Sequence, residues 1–244
     1  MDGRDKPGHD GVSIVAGRVF AITGAFGVLG SALARAAAAQ GHRLALIDYA
    51  ADAPAGLPSG GDVLVQAGVD LTAANAAGAA IDAVAERFGG LDALLNIAGG
   101  FKWETLAGGS MESWYALYRL NVLTASNASR SAIPHLKRSA AGRIVNVGSN
   151  AALKAGLGMG AYAAAKAGVH SLTQALADEL KDDGVTVNAV LPSIIDTPAN
   201  RADMPKADVS TWVAPDDLAA VILFLASEEA RAVTGALVPV TGRV

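Results

Sequence analysis

Cysteine is absent from the 244 residues of this chain. With it go disulfides, thiolate nucleophiles and cysteine-held metals. Histidine offers no substitute. His9, His42, His135 and His170 are scattered over leader, turn and helix positions at no metal-binding spacing, so no metal site is expected. Charge is sparse, 17% of residues with a net of −4, which argues against an electrostatic nucleic-acid surface. Long apolar runs are missing as well. The best candidate, "LAAVILFLAS" at 218–227, falls far short of the roughly 20 residues that span a bilayer, so no membrane partner is expected. The opening "MDGRDKPGHDGVS" is polar and has no signal-peptide apolar region. Residues 1–17 read as a disordered leader and 18–244 as one domain. A reducing cytoplasm is compatible with these features and is the expected location.

What is present is aliphatic. Hydrophobic residues make up 52% of the chain, enough for a sizeable core. No linker divides the middle, which favours a single domain. Apolar runs of strand length, "GRVFAITG", "RLALIDY", "DVLVQAGVDL", "LDALLNIAGG", "GRIVNVGS", "VTVNAVLPS" and "ALVPV", alternate with helical stretches. Long helical regions are expected at about 111–138, ending near Pro134 and Lys137, and at 160–182. The strands are near-continuous Val/Ile/Leu/Ala runs, the pattern of a parallel sheet buried on both faces. The expected fold class is α/β: a single doubly wound, Rossmann-type domain with a parallel sheet of about seven strands and helices on both faces.

"TGAFGVLG" at 23–30 joins the first strand to the first helix. Gly24, Gly27 and Gly30 allow a sharp turn and close approach of a ligand. The helix N-terminus beyond offers free N–H groups and a positive dipole end, suited to a pyrophosphate. Asp48 ends the second strand, 18 residues after Gly24. A carboxylate there accepts the ribose hydroxyls of NAD and repels the 2′-phosphate of NADP. No Arg or Lys follows it closely. An ordinary glycine turn and a loop-capping Asp are the plainer readings.

"YAAAK" at 162–166 places Tyr162 and Lys166 on one helix face. A nearby ammonium favours the phenolate and is expected to lower the Tyr162 pKa. That would make the phenol a usable proton donor or acceptor. A Tyr and a Lys snorkelling from a helix surface is the bland alternative.

From about 18 to 242 the chain resembles the short-chain dehydrogenase/reductase family. The resemblance rests on "TGAFGVLG", Asp48, Asp70 in "VDL", "NIAG" at 96–99, Asn121 in "RLNV", Ser149 in "IVNVGS", "YAAAK", and "VNAVLPSIIDT" at 187–197. Ser149 precedes Tyr162 by 13 residues, the family's spacing. The resemblance implies four catalytic residues. Tyr162 is the general acid/base, and Lys166 lowers its pKa and binds the nicotinamide ribose. Ser149 holds the substrate oxygen, and Asn121 supports a water-mediated proton relay through Lys166. It implies a nicotinamide cofactor, NAD(H) favoured over NADP(H). Gly24, Phe26, Val28, Leu29 and Gly30 of the turn would hold it, with Asp48, Asp70 and Leu71. Asn96, Ala98 and Gly99 would join them, with Tyr162, Lys166, Pro192, Ile195 and Thr197. Family members are usually tetramers packed through the two long helices, so a homo-oligomer, tetramer or dimer, is expected.

Three motifs depart from the commonest family pattern. Val28 stands where glycine is usual, "NNAG" reads Asn96-Ile97-Ala98-Gly99, and Pro192 is followed by Ser193. The turn glycines, "AGGF" at 98–101 and "DTPANRADMPKADVSTW" at 196–212 are similar to quinonoid dihydropteridine reductases, a branch of the same family. That branch lacks a serine at the position of Ser149. Phe101 and Trp103, after the fourth strand, and Trp212 are candidates for stacking on a flat substrate or lining an apolar pocket. Packing of a lid or an interface explains them equally. The leading expectation is an NAD(H)-dependent carbonyl reductase or alcohol dehydrogenase acting on a small molecule. Reduction of quinonoid dihydropterin is an alternative within that class. A non-catalytic dinucleotide-binding sensor or scaffold is one outside it.

Overall fold

The computed structural model describes residues 17–244. The expected leader, 1–17, falls outside them apart from its last residue. Seven strands form one wholly parallel sheet: β1 Val19–Thr23, β2 Arg43–Ile47, β3 Val63–Gln66, β4 Ala93–Asn96, β5 Arg143–Val147, β6 Thr186–Pro192 and β7 Leu237–Val240. Their spatial order is β3-β2-β1-β4-β5-β6-β7. The chain winds outward in one direction from β1 and then returns to wind outward from β4. The two halves therefore part at the β1/β4 junction, where open α/β sheets bind ligands.

Side chains that alternate along a strand explain the two-sided core. Val19, Ala21 and Leu94 face one layer, where they meet Ile81 and Val84 of α2 (Ala74–Phe88), Ala128 and Ala132 of α4 (Thr124–Leu136), and Leu176 of α5 (Gly160–Glu179). Phe20, Ile22 and Leu95 face the other layer, where they meet Leu29 and Leu33 of α1 (Val28–Ala39) and Leu218 and Ile222 of α7 (Pro215–Ala226). The doubly wound α/β fold read from the strand runs is the one observed.

The expected long helix at 111–138 is broken. A regular segment, α3 (Met111–Tyr118), passes into one π-turn, Arg119–Leu123, before α4 continues. The side-chain amide of Asn121 donates to the Leu117 carbonyl at 3.0 Å. In a regular helix that carbonyl pairs with the backbone N–H of residue 121. The helix ends at Leu136, near Pro134 and Lys137 as expected, with Pro134 inside its last turn. After β6 the chain forms a short helix, α6 (Pro198–Asp203), whose first turn is capped by Thr197. A single parallel bridge between Ile195 and Val213 closes this excursion. Among the described residues no helix is long and apolar enough to cross a membrane.

Candidate active site

A cleft of about 1780 Å³ opens at the carboxyl edge of the sheet. This is larger than the ~300–1,000 Å³ of an ordinary small-molecule pocket and leaves room for a dinucleotide and a substrate together. At one end lies the β1–α1 turn. Gly24 adopts φ +64°, and a Cβ on it would stand 2.8 Å from the backbone of Ala98. A Cβ on Gly30 would collide with the Gly24 carbonyl. The turn thus passes close against the segment that follows β4, and no side chain caps the N-terminus of α1 by a hydrogen bond. Asp48 stands beside it. One carboxylate oxygen accepts the Phe26 N–H and the other the Ala50 N–H, each at 2.9 Å. Thr23 ties the neighbouring strand end, its hydroxyl accepting the N–H groups of Ile97 and Ala98 at 3.1 and 3.2 Å. Further along, Asp70 accepts from the Thr72 amide and hydroxyl at 2.9 and 2.7 Å. These bonds hold its carboxyl below the usual carboxylate range.

Most of the expected cofactor residues face this cleft: Gly24, Val28, Leu29 and Gly30 of the turn, Asp48, Asp70 and Leu71 beyond it, Ala98 and Gly99 after β4, and Pro192, Ile195 and Thr197 after β6. Two do not. The Phe26 side chain packs against the core under α1 and α7, so only its amide reaches the site, through Asp48. Asn96 is buried below the cleft floor, donating to Ser129 at 3.1 Å and to Asn146 at 2.9 Å. Its side chain points into the sheet–helix layer because residue 96 is still within β4.

Ser149, Tyr162 and Lys166 converge at the centre of the cleft. The end of β5 delivers Ser149, and α5 delivers the other two from one face. The Ser149 hydroxyl accepts the Ala151 N–H at 3.2 Å. Tyr162 meets the Phe101 ring edge-on, with centroids 5.0 Å apart. Lys166 is buried, and its ammonium donates to the Val147 carbonyl at 2.8 Å. Burial pushes its pKa down to about 8.

The phenol behaves differently from the sequence-based expectation. Its pKa lies above the ordinary value, raised by burial and partly offset by the neighbouring Ser149 hydroxyl. Lys166 does not lower it because the ammonium is turned towards Val147, 6.0 Å from the Tyr162 ring centre. Asn121 also differs. It is buried behind the cleft wall, with one side-chain atom accepting the Gly100 N–H at 3.2 Å and the other donating to the Gly100 carbonyl at 3.0 Å. Its described bonds go to Gly100 and Leu117, and that of Lys166 goes to Val147, so the two residues do not bond directly.

Phe101 and Trp103 both stand at the cleft mouth, about half exposed. Trp103 lies so close over Gly158 that a Cβ there would enter its ring. Trp212 is not with them. It is 8% exposed and outside the lining. It lies between the turn Val209–Thr211 and the Ile195–Val213 bridge. Leu153, Lys154, Met159, Asn200 and Met204 also line the cleft and were not singled out as site residues from the sequence. Met204 and Asn200 fall within the conspicuous 196–212 segment; Leu153 and Lys154 belong to no motif. Among the described residues no cluster fit to hold a metal ion is found.

The sequence profile of the short chain dehydrogenase family matches residues 18–208. The chain belongs to that family. It is 34% identical to meso-2,3-butanediol dehydrogenase of Serratia marcescens, over 92% of this chain and 93% of that one. It is also 34% identical to 2,5-dichloro-2,5-cyclohexadiene-1,4-diol dehydrogenase of Sphingobium indicum, over 93% and 96% of the two chains. The fold superposes with a TM-score of 0.86 on a short-chain type dehydrogenase/reductase from Mycobacterium ulcerans, at 27% identity over 92% of this chain and 88% of that one. This short-chain dehydrogenase is accordingly an oxidoreductase of the CH–OH/C=O class, and its family uses nicotinamide cofactors.

Proposed function

We propose that this chain is an NAD(H)-dependent oxidoreductase that interconverts a carbonyl and an alcohol, with Tyr162 as general acid/base. The observation that carries this reading is the convergence of the Ser149 hydroxyl and the Tyr162 phenol in one cleft, above a buried Lys166. The residues fit a dinucleotide: the N-terminus of α1, which no side chain caps, is suited to a pyrophosphate, and Asp48 to ribose hydroxyls. No Lys or Arg lines the cleft beside Asp48 to receive a 2′-phosphate.

A bound nicotinamide supplies or accepts the hydride. The protein handles the oxygen. The Ala151 N–H occupies a lone pair of Ser149 Oγ, leaving the hydroxyl proton to donate to a substrate oxygen. The Tyr162 phenol, held protonated by its burial, gives its proton to the oxygen as negative charge develops there. Lys166 places a cation beneath the pair and is positioned for the nicotinamide ribose. Asn121 keeps the Gly99–Gly100 wall in place beside them. Phe101 and Trp103 offer apolar faces to the substrate. Met111, Tyr115 and Tyr118 are exposed on α3, which supports a homo-oligomer of two or four copies of the 18–244 domain; light scattering tests it. A cytoplasmic location goes with this reading.

The test is NADH oxidation, with NADPH in parallel, against butane-2,3-dione, a ring ketone, a 3-oxoacyl thioester and quinonoid dihydropterin. Turnover of a carbonyl with NADH, lost by at least ~100-fold in Tyr162→Phe while NADH still binds, is the expected result. Activity of that variant within about tenfold of wild type would overturn the acid/base role. Fast turnover of the pterin alone would move the substrate to the branch that the 196–212 segment resembles. Absence of turnover on every member, with NADH bound, would favour a sensor.

A further inference from the structure

Two side chains of α5, one turn apart, hold the end of β5 and the residues just after it. Lys166 Nζ donates to the Val147 carbonyl at 2.8 Å. His170 Nε2 accepts the Ser149 N–H at 3.2 Å. Gly148 lies between these two bonds, and a Cβ on it would stand 2.5 Å from His170 Nε2. Only glycine permits the ring to come so close. The grip is buried, His170 being 6% and Ser149 4% exposed. In accepting at Nε2 the imidazole is neutral and carries its proton on Nδ1. Burial and the charge of Lys166 favour that neutral form.

We infer that His170 is a positioning residue for the reaction, fixing the backbone of Ser149 so that its hydroxyl meets the substrate oxygen. Ser149 then has two restraints. His170 holds its amide, and Ala151 holds its hydroxyl oxygen. The remaining freedom is the direction of one O–H bond. A pre-set donor of this kind acts on developing charge without reorganising. In the sequence His170 reads only as a structural or solvated histidine, since nothing in "KAGVH" shows that residue 170 reaches the turn carrying Ser149.

This inference rests on the role given to Ser149 above, and its test separates the two. The variants are His170→Leu, which keeps bulk but removes the acceptor, His170→Gln, which restores an acceptor near the Nε2 position, Ser149→Ala, and the Ser149→Ala/His170→Leu double variant. With NADH and butane-2,3-dione, His170→Leu is expected to lower kcat about tenfold or more, leave the calorimetric Kd for NADH within about twofold, and be largely rescued by Gln. In the Ser149→Ala background the Leu change is expected to cost nothing further, because the group it positions is gone. An equal loss in both backgrounds, or an unchanged kcat in His170→Leu when Ser149→Ala is crippled, would overturn the inference. A fully active Ser149→Ala would instead remove the role of Ser149 itself. Amide exchange gives a readout that needs no turnover. The Ser149 amide is expected to exchange slowly in the wild type and at least ~10-fold faster in His170→Leu, with the rest of β5 unchanged; equal rates would also overturn it.

Discussion

Lys166 is an ammonium held in a buried place, and burial sets its pKa at about 8, below the ordinary 10.5. Between those values the unfolded chain binds a proton that the folded chain does not, so this group's contribution to stability rises with pH through that window. At neutral pH its burial costs on the order of 3 kcal/mol. Lys166→Met removes that cost but takes away the donor to the Val147 carbonyl, so the melting temperature is expected to stay within a few degrees while turnover is abolished, as calorimetry and NADH assays will show. Tyr162 has the opposite sign. Burial raises its pKa, so the protonated acid persists at neutral pH and the base form needed for alcohol oxidation appears only on the alkaline side. Carbonyl reduction should be flat through neutrality, and alcohol oxidation should climb with pH; a pH–rate profile in both directions checks this. On the proposed reading Asp48 couples two tasks, because the carboxylate assigned to the ribose also accepts the Phe26 amide. Asp48→Ala should weaken the preference for NADH over NADPH and also raise KM for both, since the turn loses its tether. A changed preference with an unchanged KM for NADH would show the tether to be unimportant.

At the scale of elements, the π-turn between α3 and α4 decides where Asn121 points. The widened turn sends its amide to Gly100 instead of leaving it on the helix surface. Asn121→Ala would strand the N–H and carbonyl of Gly100, a loss of roughly 1–3 kcal/mol if they stay dry. Stability should fall by that order and the Gly99–Gly100 wall should loosen, so that KM for NADH rises more than kcat falls. Denaturant unfolding and steady-state kinetics measure the two effects. The strands and most helix limits could be read from the sequence, because buried parallel strands are unbroken Val/Ile/Leu/Ala runs. The π-turn could not, since one residue of extra winding leaves no trace in an apolar period spread over two helices. Asn96 and Trp212 were misread for a related reason. Which way a side chain leaves a strand end or a loop depends on distant partners, here Asn146 for the first and the Ile195–Val213 bridge near the second. The placing of Ser149, Tyr162 and Lys166 in one cleft was legible because two lie one turn apart and the third follows a strand closely. The phenol's raised pKa was not, because it reflects burial and the direction of Lys166 rather than spacing.

At the scale of the whole molecule, the sheet order places both halves of the site at one edge, and all of the chemistry proposed here lies along it. The scarcity of aromatic side chains has a practical side at this scale. Of the three tryptophans, Trp212 is buried, Trp114 is partly buried, and Trp103 is 56% exposed at the cleft mouth. Its indole is in water until something sits over it. The enzyme therefore carries its own optical probe at the entrance to the site. Titration with substrate or NADH should blue-shift and quench a distinct, solvent-exposed component of the emission. Trp103→Phe should remove that component and leave the emission of the other two indoles unchanged.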